Sequence, residues 1–353
     1  MASTLVVREL QESELDQWDH LVASSLDGSV YSTPAYLDVL CGVAGGSFRV
    51  VGVWLGDQLS GGIALYVSPH WYGAYAGPRL LLYYHSPVLR HYDSTYPSEI
   101  TSRRVRILAA LADALARQPL AGITLKCRHT VNDVRPFTNA GWWCTPSYTY
   151  IVPIGDLEAQ KRRVEQNLRR LITRAEKHGI TVTEDDDVET FHRLHAATMY
   201  RKDAGLYLSR EAWGLYFARL RAQNLCRLYH ARLPDGTAIA GQLVLLGPSP
   251  VSHTVMAVTD EAHLKLGASA FLRWKAFESL AGLGYTANDL TDAALNPVTH
   301  FKSQLGGTLE LCHVVRLPPS PRLRFAQVVD GARWKLRGVI DKTIRRATPG
   351  TAG

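Results

Sequence analysis

Apolar residues along the chain follow two spacings, and their alternation lays out the elements. Leu5 to Leu10 has strand character, and a helix starts at Ser13, with Glu14 in its first turn, and runs to about Ser25. A β-hairpin follows, with Phe48 to Leu55 outward, Gly56-Asp57 as the turn and Gly61 to Ser68 returning. The tyrosine-rich, glycine-broken segment from His70 to Asp93 reads as irregular strands and loops. Ile100, Val105, Leu108, Leu111 and Leu115 recur at helical spacing and predict a helix over about 99–117. A buried strand from Gly122 to Lys126, a short turn-helix over about 134–140 and a strand after Gly141 complete this stretch.

The next stretch repeats that order. One helix is expected over 158–178, with Val164, Leu168, Leu171, Ile172 and Ala175 on one face, leading into a strand from Ile180 to Thr183. Helices at about 187–200 and 209–223 precede a second hairpin, Leu225 to Arg232, turn Pro234-Asp235-Gly236, and Ala238 to Leu246. Then come a strand from Val251 to Val258, a helix from Gly267 to Ala281, and strands over 287–290 and 309–315. Both stretches close alike: Asn132, Phe137 and Gly141 in the first answer Asn296, Phe301 and Gly306 in the second. The shared order predicts a duplicated mixed α/β fold, each copy a largely antiparallel sheet flanked by helices. The expected division is 1–155, 156–316 and a tail, 317–353.

Composition narrows the class. With 353 residues, 46% hydrophobic and 20% charged, the chain is globular, long enough for two cores, and unlike disordered or fibrous sequences. No apolar run approaches the roughly 18 residues of a membrane span, and the start lacks the apolar block of a signal peptide, so a cytoplasmic protein is expected. Five cysteines, Cys41, Cys127, Cys144, Cys226 and Cys312, are far apart and describe no disulfide framework. The net charge of +7 sits entirely in the residues from Arg316 onward, where nine basic residues meet only Asp330 and Asp341. A second basic concentration spans Lys161, Arg162, Arg163, Arg169, Arg170, Arg174 and Lys177. Such runs are often only solvated faces, but two of them keep a polyanionic partner open.

Several phrases carry a family resemblance. Tyr148-Thr149-Tyr150 with its continuation to Ile154, then Asn167 through Ile180, resembles the centre of the FemABX-like transferases. There, such a strand ends the first domain and such a helix opens the second. Thr198-Met199-Tyr200-Arg201, Lys265 to Ser269, and Phe301-Lys302 followed by Gly306-Gly307 agree with it. The resemblance covers about residues 5–316 and implies two tandem domains of the GNAT acyltransferase fold. It also implies transfer of an amino acid from aminoacyl-tRNA to an amine, on a peptidoglycan precursor or a small molecule. An acyl-CoA-dependent N-acyltransferase is the alternative, and a non-catalytic binding protein of the same fold is the second.

An amine attacking an activated ester needs positioning, a proton acceptor and a donor for the developing oxyanion. By the resemblance, Phe301 and Lys302 lie at the reacting carbonyl, with the lysine stabilising charge, and Arg201 belongs to acceptor binding; Thr198, His85 and Arg90 are expected beside it there. Where peptidoglycan members carry an aspartate, this chain has Arg90 within His85-Ser86-Pro87-Val88-Leu89-Arg90. The base is then sought among Asp93, His85 and Asp292, or the amine arrives neutral. For the donor, the start of the helix at Gly267 keeps only one glycine of the phosphate-holding loop of CoA-dependent GNAT domains. That favours aminoacyl-tRNA as co-substrate, held through Arg162, Arg163, Arg169 and Arg170, with no other cofactor. His192 and His195 lack the further ligands of a metal set, so no metal is expected. In the tail, Phe325, Val328, Val329, Leu336, Val339, Ile340 and Ile344 share one helical face against a basic remainder. Packing of that face on the body is the first expectation, with peripheral contact to an anionic membrane or tRNA as alternatives.

Overall fold

The computed structural model describes residues 5–79, 81–201 and 204–329. The first half runs β1 (Leu5–Glu9), α1 (Leu15–Ser24), α2 (Pro34–Ala44), β2 (Ser47–Leu55), β3 (Gln58–Ser68), β4 (Tyr75–Ala76) and β5 (Val88–Leu89). It continues through α3 (Pro97–Ala116), β6 (Gly122–Lys126), α4 (Arg135–Asn139) and β7 (Trp143–Pro153). The second half runs α5 (Leu157–Arg163), α6 (Gln166–Lys177), β8 (Thr181–Glu184), α7 (Val188–Arg201), α8 (Arg210–Ala222), β9 (Cys226–Arg232) and β10 (Ala238–Leu245). It ends with β11 (Val251–Thr259), α9 (Ala268–Gly282), β12 (Ala287–Asp289), α10 (Pro297–Ser303) and β13 (Thr308–Arg316).

The strands form one sheet in the order β1-β2-β3-β4-β6-β13-β7-β12-β11-β10-β9-β8, with β5 beside β3. Read from either edge the pattern is the same: three antiparallel pairings, then one parallel pairing, β4 with β6 and β11 with β12. The next position holds the closing strand of the other half. β13 lies antiparallel beside β6, β7 lies antiparallel beside β12, and the two pair with each other from Thr308↔Ile151 to Arg316↔Trp143. The duplication therefore closes on itself by an exchange of last strands. The matched sequence endings are the lead-in to that exchange: α4 with Gly141 (φ +83°) precedes β7, and α10 with Gly306 (φ +77°) precedes β13.

Helices cover the sheet, and buried apolar residues form three clusters. One cluster joins both halves, with Trp18, Tyr31 and Tyr36 against Phe191, Trp213 and Tyr216. Within it the Tyr36 and Tyr216 hydroxyls meet at 3.2 Å. The helix α2, started by Thr33 and Pro34, buries Tyr36, Leu37, Val39 and Leu40 and is an element that the sequence pattern does not place. All five cysteines are free thiols.

Two expectations are corrected. The single helix over 158–178 is two helices, broken where Val164 and Glu165 are extended (ψ +131° and +143°). The break exists because α10 docks there: the Glu165 N–H donates to the Gln304 carbonyl at 3.0 Å, and the Gln160 amide donates to the Leu305 carbonyl at 2.6 Å. Val164, Leu168 and Ala175 remain buried, so the apolar spacing runs through the break and hides it. In the tail, residues 321–329 are helical, but Leu323 and Ala326 make the buried side. Phe325 and Val328, expected on the packed face, are 63% and 70% exposed. The rest of the expected stripe, Leu336, Val339, Ile340 and Ile344, lies outside the described residues.

Candidate active site

The register of β11 and β12 opens a cavity in the second half. These parallel strands pair only through Val251↔Ala287, Ser252↔Asn288 and His253↔Asp289. β12 then ends, while β11 continues to Thr259 with a bulge at Val255, and a bulge turns a strand out of the regular ladder. Between the continuing strand and the segment after β12 lies a cavity of about 220 Å³. Its walls come from Thr254 to Ala257 of β11, Leu290 to Asp292, Asn296 and α10. Arg273 of α9, His195 and Met199 of α7, Tyr207, and Tyr83 from the first half also line it.

Lys302 enters this cavity from α10, a helix started by the Asn296 side chain, which accepts the Thr299 N–H at 3.0 Å. Its ammonium donates to the Thr291 carbonyl and, at 2.6 Å, to the Asp292 carbonyl. An ammonium has three donors, so one remains for a ligand. Both carbonyls are presented by residues in the left-handed region, Thr291 (φ +45°) and Asp292 (φ +53°), a conformation that costs a non-glycine residue energy and needs outside support. Asp289 supplies it. Fully buried, it accepts the Thr291 N–H at 2.8 Å, the Tyr84 hydroxyl at 2.8 Å and the Thr149 hydroxyl at 2.5 Å, and lies 3.5 Å from His253 Nδ1. Burial pushes its carboxyl upward, but the His253, Thr149 and Tyr84 contacts outweigh that and hold it well below the usual carboxylate range.

Burial is also the largest influence on Lys302. Together with the nearby Arg273 and Lys126 cations it outweighs Asp292 and Asp289, and the amine falls from an ordinary 10.5 to about 8. Arg273 itself is only 5% exposed, and burial pushes its guanidinium down to about 10. The Asp292 carboxylate is half exposed and 3.9 Å from Lys126 of β6.

The residues expected at the site separate into three groups. Lys302 and Asp292 line the cavity; Phe301, beside Lys302, packs on the core of the second half. Thr198 is buried next to the lining residue Met199, its hydroxyl donating to the Leu194 carbonyl of its own helix at 2.9 Å. Arg201 is exposed at the end of α7. The others lie elsewhere. His85 is buried in the first half, where Nε2 accepts the Tyr66 N–H at 3.0 Å and Nδ1 faces the Thr124 carbonyl at 3.4 Å. Burial lowers it to about 4, so the ring is a neutral cross-link. Arg90 donates to the Leu59 carbonyl at 2.8 Å. Asp93 is exposed and pairs with His91 at 2.8 Å. None of these three lines the cavity.

Arg162, Arg163, Arg169 and Arg170 are exposed along α5 and α6. Arg169, Arg170, Arg174 and Lys177 line an open groove on α6. One end of this face packs on the turn after α10: Gly306 lies against Arg163, and Arg163 donates to the Thr308 hydroxyl at 3.2 Å. Gly267 adopts φ +80° at the start of α9, and a side chain there would come within 2.3 Å of the Leu171 carbonyl of α6. Gly267 and Ala268 are buried, so the glycine serves a close approach of two helices. Among the described residues no cluster of His, Cys, Asp and Glu could hold a metal ion.

Apolar spacing alone does not find Arg273 or Asp289. Each nevertheless left a trace: an arginine inside the apolar run Phe271-Leu272-Arg273-Trp274, and an acid at the end of a buried strand.

Residues 160–303 match the family model of the acetyltransferase (GNAT) domain. No curated protein matches the sequence. Among solved structures, FemX superposes with a TM-score of 0.68 at 13% identity, over 87% of this chain and 96% of that one. The C-terminal domain of a candidate lysylphosphatidylglycerol synthetase from Agrobacterium fabrum superposes with a TM-score of 0.57 at 11% identity, over 90% and 98%. No helix among the described residues is long and apolar enough to cross a membrane. The chain thus shares the fold of FemX, and its residues 160–303 match the GNAT acetyltransferase domain.

Proposed function

We propose that the protein forms an amide bond by moving an aminoacyl group from aminoacyl-tRNA to an amine, with the reacting carbonyl at Lys302. The amine lone pair attacks the ester carbonyl, and the tetrahedral oxyanion is stabilised by the free N–H of the Lys302 ammonium. The bond to the ribose oxygen then breaks, that oxygen takes up the proton released by the amine, and the amide remains. Charge held in a partly buried site acts more strongly than in water. Asp292, at the cavity mouth, is the carboxylate within reach of such a proton. Phe301 anchors the helix that carries Lys302.

The observation that carries the reading is the pairing of two features: a cavity with a fixed ammonium, and an exposed basic face on α5 and α6 whose Arg163 packs on Gly306, four residues after Lys302. A polyanionic donor can lie on such a face and present its acyl end to the cavity. The alternative, acyl-CoA, finds less support, since the buried Gly267 and Ala268 leave no open glycine loop at the start of α9 for a pyrophosphate. One neighbour of this fold is named for lysylphosphatidylglycerol, an aminoacylated product.

The test is to incubate the full chain with total charged tRNA and, separately, with acyl-CoAs, each with a panel of amines, and to weigh the products. An aminoacyl amide made only with charged tRNA is expected, and an acyl amide made only with acyl-CoA overturns the donor. Binding of tRNA should weaken steeply with salt, since each phosphate contact releases a counterion. Replacing Arg162, Arg163, Arg169 and Arg170 by glutamine should flatten that slope.

A further inference from the structure

Arg273 is a charged group on the cavity wall whose hydrogen-bonding requirements the described residues do not meet. It projects from α9, a helix whose Phe271, Leu272, Trp274, Ala276 and Phe277 are all buried, and it is itself 95% buried. Its Nε and Nη1 have no hydrogen-bond partner among the described residues, and no carboxylate stands in an ion pair with it there. An uncompensated buried cation is among the costliest features a fold can carry. Leucine or methionine would suit that helix better, so retention of a charge that lines a cavity points to a ligand that completes it.

Resting on the transfer reading above, we propose that the acceptor is an amine that also bears a carboxylate, an amino acid or a compound of that shape. Its carboxylate pairs with Arg273, and its amine is presented toward Lys302. Three features select this chemistry. A carboxylate matches one guanidinium in charge and in planar geometry. The cavity, at about 220 Å³, is smaller than the roughly 300–1,000 Å³ of drug-sized sites and takes a compact molecule or the end of a longer one. The surrounding cations, Arg273, Lys302 and Lys126, disfavour a protonated amine in the same way that they and burial lower the Lys302 amine. The same charges that draw the carboxylate thus keep the attacking amine neutral, which lightens the demand for a dedicated base. The aminoacyl end of the donor, with an ammonium and no free carboxylate, suits the Arg273 end poorly.

Isothermal titration of the full chain with the free L-amino acids, with their α-amides and with inorganic phosphate tests this. At least one amino acid should bind, its amide at least about tenfold more weakly, and Arg273→Gln should remove the difference while Arg273→Lys keeps part of it. Equal binding of acid and amide, wild-type binding by Arg273→Gln, or no amino acid bound at millimolar concentration overturns the proposal. Phosphate binding more tightly than every carboxylate does the same. The thermal midpoint of Arg273→Met separates ligand binding from a structural role: relief of an unpaired buried cation leaves it unchanged or higher, and a clear fall overturns the assignment. Turnover of amines without a carboxylate, at an unaltered KM in Arg273→Gln, removes this inference and leaves the transferase reading intact. Arg273-dependent carboxylate binding without transfer from any donor does the reverse.

Discussion

Lys302 is a lysine whose proton is within reach of physiological pH, and that sets a direction for activity. Burial and the neighbouring Arg273 and Lys126 lower its pKa to about 8, against the opposing pull of Asp292 and Asp289. The form that stabilises an oxyanion is the ammonium, so kcat should fall as pH rises through about 8, read in a profile of turnover with saturating substrates. A rate that keeps rising to pH 10 would mean that the neutral amine is the working form. Stability moves the other way. Between about 8 and 10.5 the unfolded chain holds this proton and the folded chain does not, so the contribution of Lys302 to stability rises with pH across that window. The difference in midpoint between the wild type and Lys302→Met should therefore move in favour of the wild type from pH 7.5 to pH 10.

At the scale of elements, the strands that carry the site are held by one carboxylate. Asp289 ties β12 to β7 through Thr149 and to the first half through Tyr84, and it fixes the left-handed turn at Thr291 and Asp292 that holds Lys302. Asp289→Asn places an amide donor among groups that all donate, and should cost about 3 kcal/mol of stability, the order of a broken buried charge network, with a large loss of turnover. Denaturant unfolding reads the first, and a variant as stable as the wild type would show that the network is not needed. Element order was largely legible from spacing: both hairpins, α3, α9 and the two closing strands fall where the pattern puts them. The break between α5 and α6 was hidden because the apolar face is continuous through it, and its cause, α10, is more than a hundred residues away. Lys302 was singled out by its phrase with Phe301, and Asp292 as one of three candidate bases. Arg273 and Asp289 were not, because a charge in an apolar run shows its purpose only when the cavity beside it is known.

For the whole molecule, the exchange of β7 and β13 makes the two halves one cooperative body. Neither half owns a complete sheet, and the cluster containing Trp18 and Trp213 spans both. A single calorimetric transition is expected, with calorimetric and van't Hoff enthalpies in agreement, and two resolved transitions would show independent halves. The same exchange explains why the site joins both copies: Tyr83 of the first half lines a cavity built by the second, Lys126 of the first half stands 3.9 Å from its Asp292, and Arg163 of the basic face packs on Gly306 in the turn before β13. No periodicity in the sequence shows a strand exchange, since each closing strand looks the same whichever sheet it joins. The repeated element order and the duplicated endings hinted at a common construction.

These scales meet at the ammonium of Lys302. The most direct measurement is the single-turnover rate of aminoacyl transfer from charged tRNA by the wild type and Lys302→Ala, with tRNA affinity and thermal midpoint recorded for both. Removal of a preorganised charge at the reacting carbonyl predicts a rate lower by about 10²-fold, with tRNA affinity and midpoint essentially unchanged. An alanine variant that transfers at the wild-type rate, or one whose loss follows unfolding or weakened tRNA binding, would contradict the placement of the chemistry at Lys302.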